Sequence, residues 1–493
     1  MRKNIYISFI ACLLFSNFSF SQNETDALRY SWIGTGGTAR YQSLGGAMGA
    51  IGGDPSCMAM NPAGLARFTK SDFTISFAQS TISTSTLYNG TTTNNGKGNF
   101  TINNIALVGA TKSSEDSEWK SVQFGIGFQK LFNFNNSISM SGYSPNSLLD
   151  QFAGDAHGVD PTALGDVLPY TSMLAYQTYL IDPDLTSTDD SYTTQTFNDT
   201  VFQSRYINKK GGLSEMNISI SGNYLDKVYL GMSIGFPFIR YSETYSHHEE
   251  VTDTTLFLQN FDYTQDLYTR GNGVNLKLGA IYTPTEWLRL GLALQTASSI
   301  GLTDEWSNTM QSQFDSNIAF DTTSPNGLFN YRLRTPGRIT ASAAFIISKW
   351  GLVSVDYEYL NYGKAKFKPY NFNGGGGYSF ASENLVIKSI YNTASNLRVG
   401  LEGRYNWVSL RGGISIYANP FKDEDGINAT TVDATRITYS GGLGFRMKGF
   451  YADLGYSITQ WNEAYFMFDP LLVNTANIET NFKQFVVTAG FRF

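Results

Sequence analysis

From Asp72 onward the chain alternates apolar and polar residues in short runs, broken by clusters of Gly, Asn, Asp and Pro. The last run is the clearest. Phe485, Val487, Ala489, Phe491 and Phe493 fall on one face, and Gln484, Val486, Thr488, Gly490 and Arg492 on the other. A period of two is that of a strand with two different faces. The pattern predicts 14 strands: Asp72–Ser80, Thr101–Ala110, Val122–Leu131, Ser214–Asn223, Val228–Tyr245, Gly271–Tyr282, Trp287–Ser299, Leu333–Ile347, Gly351–Tyr362, Asn396–Tyr405, Trp407–Ala418, Arg436–Arg446, Phe450–Thr459 and Lys483–Phe493. Every second connection is short: Tyr224–Lys227, Thr283–Glu286, Ser348–Trp350 and Met447–Gly449. The others are long and polar: Thr81–Phe100, Phe132–Leu213, Ser246–Arg270, Ile300–Arg332, Gly363–Ser395, Asn419–Thr435 and Gln460–Phe482. Thr111–Ser121 falls on the short side but is longer than its counterparts. An even strand number with alternating short and long connections is the signature of an outer-membrane barrel, short turns toward the periplasm. No fixed-length repeat offers a competing explanation. In the last strand the Phe485 set then faces lipid and the Gln484 set the lumen. Arg398, Glu402 and Arg404 share one face of their strand, as a polar lumen requires.

The stretch Gly34 to Ala66 breaks the alternation. It reads GTGGTARYQSLGGAMGAIGGDPSCMAMNPAGLA, rich in Gly, Ala and Met and nearly free of charge. Such a segment packs closely against other backbone, and Met48, Met58 and Met60 give it an adaptable apolar surface. The expectation is a plug inside the barrel: hatch over 22–70, barrel over 71–493. Leu44, Met48, Ile51, Met58 and Met60 are expected to supply ligand-side apolar surface. Asn61-Pro62-Ala63-Gly64 is a turn.

Composition adds the membrane. The chain has 30 Tyr and 35 Phe among 493 residues, while charged residues make up only 15% against an ordinary ~25%. Arg2 and Lys3, the apolar run Ile5 to Phe20 and the small residues Ser19 and Ser21 read as a signal peptide over 1–21, cleaved before Gln22. Removing it leaves 33 basic against 41 acidic residues, a surplus of negative charge that argues against a nucleic-acid partner. Cys57 is then alone, so no internal disulfide is expected. No later stretch approaches the ~20 apolar residues of a spanning helix, and a membrane chain without helices must close into a barrel. The fold class expected is therefore all-β: a 14-stranded antiparallel transmembrane β-barrel in the bacterial outer membrane, with an N-terminal hatch in its lumen.

No catalytic, metal or cofactor site emerges. Gly231-Met232-Ser233-Ile234-Gly235 matches G-x-S-x-G but lies inside a strand, whereas that motif works on a strand-to-helix elbow. Gly34-Thr35-Gly36-Gly37 lacks the strand and helix of a nucleotide site. His247-His248-Glu249-Glu250 could touch a metal or haem, yet adjacent strand residues point to opposite faces, and a solvated loop is the plainer reading. The acidic loops Asp182–Asp190 and Lys422–Gly426 read as exposed charge.

These features together resemble the FadL/TodX family of outer-membrane transporters for long-chain fatty acids and aromatic hydrocarbons. The resemblance covers essentially the whole mature chain. It is most specific from Gly45-Gly46-Ala47 through Asn61-Pro62-Ala63-Gly64, which looks like that family's hatch and NPA motif, in a Gly-rich form similar to versions from Bacteroidetes-like bacteria. Gly273–Ser298, Leu333–Lys364 and Leu397–Pro420 are similar to its barrel hairpins. The resemblance implies passive import of a hydrophobic small molecule, captured among the external loops and passed to a luminal pocket. It also implies a kink in the third strand, where Gly125 and Gly127 could permit a bend. Within Phe132–Leu213, Ser147–Phe152 and Thr162–Tyr179 could form short helices over the mouth. An acidic ligand would need a cation in the lumen, for which Arg334, Arg338, Arg398 and Arg404 are candidates, though structural ion pairing is their commoner use. Outer-membrane lipid is the expected surround, and Phe493 gives the aromatic terminus expected by the barrel assembly machinery. The rival readings are a haem-binding receptor and a structural or adhesive surface barrel.

Overall fold

The computed structural model describes residues 24–493 except 35, 115, 185, 187–188, 197–198, 371–377 and 423–432. The expected signal peptide and most of the acidic loop Lys422–Gly426 lie outside the described residues.

Fourteen antiparallel strands form one closed sheet. In chain order the first three are Asp72–Tyr88, Thr91–Lys112, and Trp119–Asn133 resuming as Asn136–Ser144. The next three are Val201–Tyr224, Val228–Val251 and Leu258–Thr285. The seventh, Leu288–Gln295, resumes as Ser299–Phe314, and the eighth comes in the pieces Ile318–Thr323, Gly327–Arg334 and Arg338–Ile347. The last six are Gly351–Asn361, Thr393–Tyr405, Val408–Tyr417, Arg436–Arg446, Phe450–Tyr465 and Ala476–Arg492. The last strand returns to the first, from Asp72 opposite Arg492 to Leu87 opposite Asn477. Closure leaves no strand edge to be satisfied by solvent.

The expected strands are all present, but several run far past their expected ends. Thr81–Phe100 is not a loop. The first two strands continue through it and meet at Asn89-Gly90, whose φ values of 44° and 83° make a tight hairpin turn. Most of Ser246–Arg270 and Ile300–Arg332 is likewise strand. The outward face of these outer arms is largely polar, so the ladder of backbone hydrogen bonds carries them past the membrane, while inward residues such as Phe261, Tyr263 and Met310 are buried. The short turns stand where expected. In the long connection after the third strand, helices form over Leu148–Ala156, Leu164–Val167 and Ser172–Gln177. Ser147 caps the first and Asp150 closes the capping box. Its buried face, Leu148, Leu149 and Phe152, packs in one cluster with Phe261, Tyr263 and Met310 of the wall.

The fifth strand shows the alternation plainly. Leu230, Met232, Ile234, Phe236 and Phe238 face outward, while Ser233 and Tyr241 are buried. With Leu290, Leu292 and Leu294 of the seventh strand they form part of an apolar outer band, which lipid explains and water does not. Leu292→Arg is expected to destabilise the barrel by about 2–4 kcal/mol, the cost of a cation near a bilayer midplane. Urea titration in vesicles measures it, and an unchanged midpoint would place Leu292 outside the membrane.

The histidines are not in a solvated loop. His247 lies on the inner face of the fifth strand's outer arm and is wholly buried. Its Nε2 is 2.8 Å from Glu249 Oε1, and Arg205 Nε approaches its Nδ1 at 3.3 Å. Glu249 also accepts from Leu148 N at 2.8 Å and from Ser147 Oγ, so the cluster fixes the loop helix to the wall. His248 faces the other way, 2.9 Å from Asp262. The two imidazoles cannot converge on one iron. Gly231–Gly235 is strand throughout, with no helix behind it.

Candidate functional site: hatch, luminal cavity and wall gap

The hatch fills the lumen as short helical turns, Glu24–Arg29, Ala39–Ser43 and Cys57–Met60, then a 3-10 turn over Pro62–Arg67. Asn61 organises the last turn. Its Oδ1 accepts from Ala63 N at 3.2 Å, capping the turn, and Pro62 takes the first helical position, where no N–H is needed. Its Nδ2 donates to Gly49 O at 2.6 Å within the hatch and to Ala280 O at 3.3 Å in the sixth strand. One side chain thus ties the turn, the hatch and the wall. Ala63 and Gly64 are buried beside it. Tyr229 and Ile281 of the wall pack on Ala63 and Ala66 of this turn, and between them the wall meets it with bare backbone. A β-carbon at Gly231 or Gly279 would collide with Pro62, Ala63 or the Asn61 side chain. Gly231, the first residue of the G-x-S-x-G run, is therefore a seat for the hatch.

Other contacts hold the remaining hatch. Ala39 N donates to Thr488 Oγ1 at 2.7 Å, Gly49 N to Asp356 Oδ2 at 2.9 Å, and Ser415 Oγ to Gly45 O at 2.8 Å. Arg40 pairs with Glu402 at 2.8 Å, and Glu402 also holds Arg404 and Arg411. Removing one partner of such a buried pair strands the other charge. Nothing in the composition of the hatch had singled out Arg40.

None of the five apolar hatch residues expected on the ligand side lines the large cavity described below. Leu44, Met48 and Ile51 pack with Tyr41, Ala344 and Leu352, and Met60 adjoins that cluster. Met58 packs with Leu65, Phe68, Ala106 and Val108. They are the glue between hatch and wall. Gly125 and Gly127 belong to the same seat, since β-carbons there would strike Met58. Both stand in regular pairing with the second and fourth strands. The third strand is disturbed farther on, with a register shift between Lys130 and Phe132 and a break at Phe134 and Asn135.

That disturbance opens the wall. The second strand pairs with the third only over Asn104–Lys112, opposite Gln129–Ser121. Beyond Asn104 its pairing is with the first strand alone. The third strand's continuation turns inward beneath the first hairpin: Asn133 Nδ2 donates to Ser80 Oγ at 3.1 Å and Thr84 Oγ1 to Ser137 O at 2.8 Å. Lys97 of the second strand reaches past it to Asn208 Oδ1 at 2.5 Å and Lys209 O at 2.7 Å on the fourth. A gap in backbone pairing is left between Asn104 and Lys97. The hatch lies directly behind it. Gly34 N donates to Leu131 O at 2.9 Å, Gln129 Nε2 to Gly36 O at 2.8 Å, and Asn103 Nδ2 to Gly37 O at 2.5 Å. Gly36 sits so close to the Lys130 carbonyl that any β-carbon would overlap it.

Above the hatch, on the long-loop side, is a cavity of about 740 Å³, lined at this same gap by Asn103, Lys130, Leu131 and Phe132. Its other walls include Trp32, Ile33 and Leu28 from the hatch lead-in and Phe134, Tyr241, Leu267, Tyr417, Trp461 and Phe482 from the barrel, with the charged Arg29, Lys209, Glu243 and Glu463 among them. The volume and the aromatic lining suit a drug-sized apolar molecule. Arg436 lies in this wall, its guanidinium 4.1 Å from the Trp32 ring centroid, 4.5 Å from Trp461 and 5.5 Å from Phe132. Its Nε is buried without a hydrogen-bond partner. The four arginines considered from sequence are otherwise engaged. Arg338 and Arg398 both hold Glu358, at 3.2 and 3.0 Å, Arg404 holds Glu402, and Arg334 is on the outward face. The lead-in residues and Arg436 had no local signal; only the fold brings them together.

The architecture has solved counterparts. A FadL homologue from Pseudomonas aeruginosa superposes with a TM-score of 0.59 at 12% identity, covering 94% of this chain and 100% of its own. The toluene transporter TodX of Pseudomonas putida gives 0.53 at 12% identity, over 94% and 100%. The toluene transporter TbuX of Ralstonia pickettii gives 0.51 at 14%, over 93% and 99%. The fold is the FadL/TodX fold. No family model matches the sequence, and comparison with curated proteins finds no match. Identity this low shows the FadL/TodX architecture and not a shared cargo.

Proposed function

We propose that this protein is an outer-membrane transporter that admits hydrophobic small molecules passively, with long-chain fatty acids or aromatic hydrocarbons as the cargo classes. One observation carries the reading: a cavity of about 740 Å³ with an aromatic lining lies above the hatch and reaches the gap in the barrel wall. Cargo enters among the long loops, rests in the cavity, and leaves sideways through the gap when Gly34, Gly36 and Gly37 draw back. Sideways exit suits such a solute because it passes from the cavity to the apolar bilayer without entering the water of the periplasm. Lys97, Lys130 and Asn103 rim the route but form no continuous polar barrier. Arg436 is the group placed to meet a carboxylate, because a charge-assisted bond there would satisfy a guanidinium nitrogen that now has no partner. The short-turn end faces the periplasm.

The test is uptake of labelled long-chain fatty acid and of toluene into proteoliposomes. Wild type is expected to give saturable uptake of at least one. Asn103→Trp, which fills the gap, is expected to reduce uptake to the level of empty vesicles while folding is retained. Absence of uptake of both by wild type would overturn transport in favour of a structural or adhesive barrel. Full uptake by Asn103→Trp would overturn the sideways route.

A further inference from the structure

The short-turn mouth of the barrel holds a second pocket, of about 310 Å³, on the opposite side of the hatch from the cargo cavity. Its lining is cationic to a degree unusual for a chain with a net charge of −6. Arg67 and Lys70 enter from the hatch end, and Arg289, Lys349 and Arg446 from three separate turns of the wall. None of these five forms an ion pair among the described residues. The carboxylates nearby are already committed: Glu402 to Arg40, Arg404 and Arg411, and Asp72 to Arg492. Arg289 donates weakly to Ile51 O at 3.3 Å, and Arg67 to Tyr229 Oη at 2.6 Å. The Nε atoms of Arg289 and Arg446 are both buried with no hydrogen-bond partner.

A merely solvated basic rim would keep such nitrogens in water. Here they are withdrawn from it and left unmatched, and buried unmatched donors are costly. Like charges gathered around one small volume repel unless something of opposite sign lies between them. Guanidinium groups present paired N–H donors that fit the oxygens of a tetrahedral or planar oxyanion. A volume of about 310 Å³ admits a phosphate or diphosphate with some water, but is at the low end for an organic cargo.

We propose that this pocket is an anion site for a phosphate group, held between Arg67 of the hatch and Arg289, Lys349 and Arg446 of the wall. The bound anion bridges the two bodies across their seam and latches the hatch at its periplasmic end. The phosphate can be that of a free ion or of a lipid headgroup; both present the same oxygens. This site stands independently of the cargo cavity, so it can be tested whether or not transport is observed.

The experiment is isothermal titration of the full-length protein in detergent with inorganic pyrophosphate, at constant ionic strength set by chloride. A parallel titration uses short-chain phosphatidylglycerol below its critical micelle concentration. Saturable pyrophosphate binding is expected, weakened at least tenfold in Arg289→Gln/Arg446→Gln. Lys349→Gln, an exposed position where folding is not at issue, is expected to weaken it about threefold. Tighter binding of the lipid than of pyrophosphate would assign the site to headgroups, and the reverse to a free ion. Absence of saturable binding of either, or binding unchanged in both variants, would overturn the proposal. So would tighter binding of decanoate than of pyrophosphate, which would make the pocket a cargo exit.

Discussion

Replacing Gly231 by leucine is expected to unseat the hatch while leaving the barrel folded. The wall at Gly231 touches Pro62 and Ala63 through bare backbone, and even a β-carbon overlaps them. Packing an isobutyl group into that contact costs about 1–3 kcal/mol. The cost falls on the seated hatch alone, because the fifth strand remains paired on both sides. The population with the hatch displaced should therefore rise by about 5- to 150-fold. Two measurements read this. Limited proteolysis should cut within residues 24–68 at a correspondingly higher rate, and single-channel recording should show ion conductance that the wild type lacks. Gly403→Leu is the control, since Gly403 is exposed and has open space for a side chain. Should Gly231→Leu behave like that control, the turn at Asn61–Gly64 is not what secures the hatch. Should the variant fail to fold, as judged by loss of heat-modifiable mobility, Gly279→Ala offers a smaller intrusion into the same contact.

Replacing Arg436 by methionine is expected to separate two classes of cargo. Methionine keeps an apolar stem among Trp32, Phe132 and Trp461 and removes only the charge. A hydrogen bond to a charged group contributes about 1.5–3 kcal/mol, so the half-saturating concentration of a fatty acid should rise about 10- to 100-fold. Uptake of toluene, which has no acid group, should be unchanged or improved. Equal losses for both would show that Arg436 shapes the cavity without recognising a charge. Equal retention of both would show that the acid group lies elsewhere.

The sequence carried the barrel and missed much of its use. Strands in contact with lipid have one face apolar and one polar, so Val228–Tyr245 and Lys483–Phe493 announce themselves by period alone. The arms above the membrane have water outside, and inside them loop helices meet only scattered apolar residues such as Phe261 and Met310. Their alternation fades, and the run from Thr81 to Phe100 looks like a loop. The turn chemistry was nevertheless present in Asn89-Gly90, a pair suited to a two-residue hairpin. The hatch was legible as a Gly-rich, charge-poor segment. Its inner and outer surfaces were not, because which face a methionine takes depends on strands hundreds of residues away. Met58 meets Ala106 and Val108, while Trp32 meets Tyr362 and Tyr417. Arg436 stood out from the arginines first considered only once Glu358 and Glu402 were seen to hold Arg338, Arg398 and Arg404.

The bare inner wall has a kinetic consequence. Where side chains interlock, one body can slide past another only if rotamers swing out of the way, and friction is spread along the whole contact. Against Gly231 and Gly279 the hatch meets a smooth track. Small displacements there ask no side chain to move aside. Resistance is then concentrated elsewhere, in the packed side chains of Met48 and Met58 and in discrete catches such as Asn61 on Ala280 O, Gly49 N on Asp356 and Arg40 on Glu402. A hatch of this kind should move in steps, resting wherever a catch engages, with dwell times that change one at a time as individual catches are removed.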